Sequence, residues 1–158
     1  MKIVLVIILA VVAAAAVSVY ADKRKMKQSA RSLGLDAPGV RVIDCEGPMF
    51  RFAVKPEEGI AWVLSGPGAA PVSIPLEELA GCEFVDGGDK AFDLGTALVG
   101  SAAASALSGK KGGSVLRILR RDPDRPPAEY RLTRPTYRED FRRFARDVSA
   151  LIEEYKEE

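Results

Sequence analysis

The chain has 158 residues, of which 28% are charged, with a formal net charge of +1 and no histidine. That length holds one compact domain plus an extra element. The missing histidine removes Ser-His-Asp and Cys-His catalysis, most zinc sites and the usual near-neutral proton shuttle.

The first element is the run over residues 3–21, IVLVIILAVVAAAAVSVYA, 19 uncharged and mostly apolar positions. As a helix rising ~1.5 Å per residue it measures about 28 Å, close to the ~30 Å hydrocarbon thickness of a bilayer, and it has no polar face. The pattern predicts a transmembrane anchor over 1–21. Lys23, Arg24, Lys25 and Lys27 follow at once, and a basic flank tends to stay on the cytoplasmic side. The expected topology is single-pass in the inner membrane, amino terminus outside and the long remainder in the cytoplasm. The alternative is a signal peptide cleaved after Ala21 that releases an exported, soluble β-rich protein. Residues 22–39 read as a basic juxtamembrane linker ending on the Pro38-Gly39 turn signal. Beyond it the chain is mildly acidic, which argues against a general nucleic-acid binder.

From Val40 the period changes. Val42 and Cys45 alternate imperfectly with Arg41 and Asp44, a short strand. Gly47-Pro48 breaks it, and Phe50, Phe52 and Val54 then give the cleanest alternation in the chain. Pro56-Glu57-Glu58-Gly59 is a turn. Strands are predicted at Ile60–Leu64, Pro71–Pro75, Gly81–Asp86, Val115–Arg120 and Ala128–Leu132, with one helical turn at Leu76–Leu79. The prolines of 71–75 suit an edge. Thr136 and Glu139 have capping-box spacing ahead of an apolar stripe through Phe141, Phe144, Val148, Leu151, Ile152 and Tyr155, a long helix that covers an apolar surface.

Between these strands, residues 88–113 carry a run of Ala, Gly and Ser with no charge from Leu94 to Leu107. Those 14 positions make roughly 21 Å of helix, short of the ~30 Å needed to span. The expectation is an inserted small-residue segment at the surface of a domain covering 40–158.

The predicted class is α+β: six or seven short antiparallel strands closed by a carboxyl-terminal helix and preceded by one transmembrane helix. Residues Met49 to Tyr155 resemble bacterial PH-like (pleckstrin-homology-like) proteins of unknown function with a glycine-rich insertion between middle strands. The resemblance rests on FRFAVKPEEGIAWVL, IPLEELAGCEFVDGG, the small-residue run and SVLRILRRDPDRPPAEYRLT. It implies a bent antiparallel sheet or barrel plugged by the last helix.

Little in the sequence points to chemistry. Gly66-Pro67-Gly68 lacks dinucleotide-loop spacing, and 109–114 lacks the ending of a phosphate loop. Cys45 and Cys82 are expected as two buried thiols, or as a disulfide if the protein is exported. No catalytic residue, metal or cofactor is expected. Residues 115–146 hold ten arginines against five acids and no lysine, which favours bidentate contacts. Arg117, Arg120, Arg121, Arg131, Arg142 and Arg143 are therefore candidates for binding an anionic headgroup or an acidic protein segment, unless they pair with the acidic 32–114 stretch. The function expected is a non-enzymatic binding module tethered to the bilayer.

Overall fold

The computed structural model describes residues 2–47, 49–87, 114–132 and 135–157. Its elements are helix α1 (Lys2–Ser32), strands β1 (Arg41–Cys45), β2 (Phe50–Lys55), β3 (Ile60–Leu64), β4 (Val72–Pro75), β5 (Leu79–Val85), β6 (Val115–Arg120) and β7 (Ala128–Arg131), and helix α2 (Arg138–Glu157). The predicted strands are all present, most with ends moved by a residue or two. Two antiparallel sheets result, β1-β2-β3-β4 and β5-β6-β7. The class is α+β as expected. A closed barrel is not observed: the strand pairing stops between β4 and β5, where Pro75 and the 3-10 turn Leu76–Glu78 interrupt the ladder.

Alternation puts the large apolar side chains of both sheets on their inner faces. Ile43, Phe52, Val63 and Val72 stand opposite one another across the first sheet, and Phe84, Leu116 and Tyr130 across the second. The buried stripe of α2, Phe141, Phe144, Ala145, Val148, Leu151 and Ile152, closes one cluster with both inner faces. Phe50 meets Tyr130, Phe141 and Phe144 edge-on at 4.8, 5.7 and 5.3 Å, the geometry favoured by the ring quadrupole. Thr136 does not cap α2. It lies inside a 3-10 turn, Pro135–Tyr137, and Glu139 takes the guanidinium of Arg142. The β1–β2 turn lies close under that start: a Cβ on Gly47 would come within 2.7 Å of the Tyr137 ring, so only glycine fits there without displacement.

Segment 22–39 is not a loose spacer throughout. Helix α1 continues without interruption to Ser32, because residues 22–32 contain no glycine or proline to stop it. Gly34 then reverses the chain at φ +66. Ala30 and Leu35 pack on the outer face of the first sheet against Ala53 and Leu64, with Met26, Leu33 and Trp62 around them. This second, small core explains why Ala53, flanked by the outward-facing Arg51 and Lys55, is fully buried. The amino-terminal part of α1 is different: Val6, Ile7, Leu9, Val11 and Val17 are all exposed. Among the described residues α1 is the one helix long and apolar enough to cross a membrane.

Residues 88–113 lie outside the described residues. Their attachment points are clear: Val85 and Val115 are register partners on neighbouring strands. Buried Ser114 donates to Asp86 Oδ1 at 3.0 Å and accepts from the Gly87 N–H, which ties the two ends together.

Candidate functional site

Acidic side chains hold three of the six arginines expected to form an anion groove. Arg117 lies on the outer face of the second sheet, opposite Glu83 on one side and Glu129 on the other, and bonds both at 3.4 and 2.9 Å. Arg120 pairs with Glu78 at 3.6 Å, and Arg121 donates to the Leu79 carbonyl at 3.2 Å. Arg142 holds Asp86 at 3.1 Å and Glu139, and lies 5.8 Å from the centre of the Phe84 ring. Pairing with the acidic 32–114 segment thus accounts for Arg117, Arg120 and Arg142, through cross-strand register at Arg117, the 3-10 turn at Arg120 and the packing of α2 at Arg142. Arg131, on β7, and Arg143, on α2, are exposed and lack an ion pair among the described residues. The membrane-flank residues Lys23, Arg24, Lys25 and Lys27 all lie on α1.

Cys45 and Cys82 are free and buried, on inner positions of β1 and β5. Burial pushes both thiols up to about 12, helped at Cys45 by Asp140 and Asp44 and at Cys82 by Glu83. A thiol so firmly protonated is a poor nucleophile. No group of three or more Cys, Asp or Glu residues capable of holding a metal ion is found among the described residues.

Between β1 and the adjoining face of α2 runs a shallow groove in two parts of about 290 and 260 Å³, both reaching Asp147. Val42, Ile43, Ala150 and Leu151 line the first part. The second lies beside Glu46, Asp140 and Arg143. Arg41 spans one end with two bonds to Glu154, at 3.0 and 3.2 Å. The α2 residues Asp140, Arg143, Asp147 and Ala150 follow three- and four-residue steps, so they share one stripe of the helix.

Neither this groove nor the packing of α1 on the first sheet was foreseen from sequence. A signal for the packing existed: Ile60–Leu64 is apolar at five consecutive positions, which alternation over one buried face does not require. The groove had no such mark, since its acids are spread over separate segments. No family model matches the chain, and no curated protein or solved structure matches it either.

Proposed function

We propose that this chain is a non-enzymatic binding module of PH-like fold, tethered by α1 at the cytoplasmic face of the inner membrane. The observation that carries the reading is the change of environment along one helix. From Val4 to Tyr20 its described side chains are exposed with no protein surface over them, and near its end Ala30 is buried against the first sheet. Exposed Val, Ile and Leu over that length match a bilayer, at about 0.8 kcal/mol per buried CH₂. The basic residues Lys23 to Lys27 then sit at the headgroup layer, where each is worth about 1 kcal/mol beside anionic lipid. The 4+3 meander with a terminal helix supports the PH-like assignment. For the ligand, a protein segment is better supported than a headgroup, because acidic side chains neutralise three of the six candidate arginines, Arg117, Arg120 and Arg142.

Intact mass and a carboxyl-terminal topology reporter test this reading. The expected results are a full-length chain that resists carbonate extraction and a reporter active only in the cytoplasm. A mature chain starting at Asp22, or a reporter active outside, would overturn it in favour of an exported protein.

A further inference from the structure

The two sheets present four edges, and three of them are protected against strand pairing. Strand β4 is bounded by Pro71 and Pro75, and four-residue β7 is preceded by Pro126 and Pro127. Along β5, α2 supplies the missing partners. Ser149 Oγ accepts from the Cys82 N–H at 3.0 Å and donates to its carbonyl at 2.6 Å, and Lys156 donates to the Ala80 carbonyl at 2.8 Å. Strand β1 differs. It pairs only with β2 among the described residues, contains no proline, and its other edge opens on the groove beside α2. Its exposed Val42 adds an apolar contact at that edge.

We infer that the edge of β1 turned away from β2, over Val42–Cys45, takes an extended segment of a partner protein by strand addition, with basic side chains directed at α2. This rests on the reading of the domain as a binding module. Backbone pairing supplies affinity in such complexes, and side chains at alternate positions supply specificity. The charge around the groove selects the side chains. Glu46, Asp140 and Asp147 have no ion pair among the described residues, and Arg143 alone opposes them, Arg41 and Asp44 being engaged by Glu154 and Arg51. A strand alternating basic and apolar residues would set its cations toward α2 and its apolar face beside Val42.

The test uses the full chain reconstituted in phosphatidylcholine vesicles with three dye-labelled probes: a Lys-Val hexapeptide repeat, the same peptide with a central proline, and a Glu-Val repeat. Binding is read by anisotropy and by hydrogen exchange of residues 40–46. The expected result is slowed exchange at β1 with the Lys-Val peptide. About tenfold weaker binding is expected for the other two peptides, and for the Lys-Val peptide with the exposed pair Glu46→Arg/Asp147→Arg. Equal binding of the proline peptide, or slowed exchange elsewhere only, overturns the inference. So does protection of β1 without peptide, whether on raising the protein concentration (a second copy as occupant) or on adding anionic lipid (a headgroup site). Flotation of the same samples separates the two readings. Protein that fails to float but protects β1 with the peptide refutes the tether and keeps the groove; protein that floats without peptide protection does the reverse.

Discussion

Cys45 and Cys82 each hold a proton more tightly in the fold than in the free chain, since burial raises both from 9.0 to about 12. Between those values the unfolded thiols ionise and the native ones do not. The stability linked to them is therefore complete below about 9 and is lost as pH rises toward about 12. Thermal melts across that range should show a steeper alkaline decline for the native sequence than for Cys45→Ala/Cys82→Ala; parallel declines would assign the effect to other groups. Iodoacetamide at pH 8 should label neither thiol until the protein unfolds. The arginines teach a different lesson at this scale. Their number is plain in the sequence, but whether Arg117 is a free cation or the middle of a Glu83–Arg117–Glu129 row depends on which residues stand opposite it. That register is seen only in how β5 and β7 pair with β6, and composition carries no trace of it.

Among the elements, β2, β3, β6 and α2 were legible because each carries its own evidence: strict alternation at Phe50, Phe52 and Val54, Gly and Pro at the ends, and a helical apolar stripe from Phe141. The end of α1 was not, because Ala30 and Leu35 are small or isolated apolar residues in a charged stretch and acquire meaning only beside Ala53 and Leu64. Leu35 is 1% exposed. Leu35→Ala should cost about 2–5 kcal/mol if the small core unfolds with the domain, from lost transfer energy and the cavity left behind. A melt checks the size of the loss. Trypsin checks its place, since cleavage after Arg31 should accelerate in the variant more than cleavage after Arg146. An unchanged melt would show that the helix end contributes nothing to the fold.

For the molecule as a whole, the order of strands and the covering helix could be read in advance, while the split into two sheets could not, since Pro75 and a three-residue 3-10 turn leave only a weak mark. Val85 and Val115 are neighbours across the ladder, so the two strand ends that the connection joins stand side by side. Replacing residues 91–111 by a short Gly-Ser loop should keep cooperative unfolding, as halving a flexible loop changes its closure cost by only about 0.6 kcal/mol. Loss of the cooperative transition in circular dichroism would show that the segment is structural. Helix α1 has 31 residues, about 46 Å, so a span of about 30 Å leaves roughly 16 Å before its end meets the first sheet. A slack tether would let the domain sweep a hemisphere of solution; a helix that enters the fold without a joint does not. If α1 anchors the chain as proposed, with its apolar half in lipid, the domain is carried at one height and searches by sliding in a plane. A partner that never enters that thin layer goes unmet whatever its affinity.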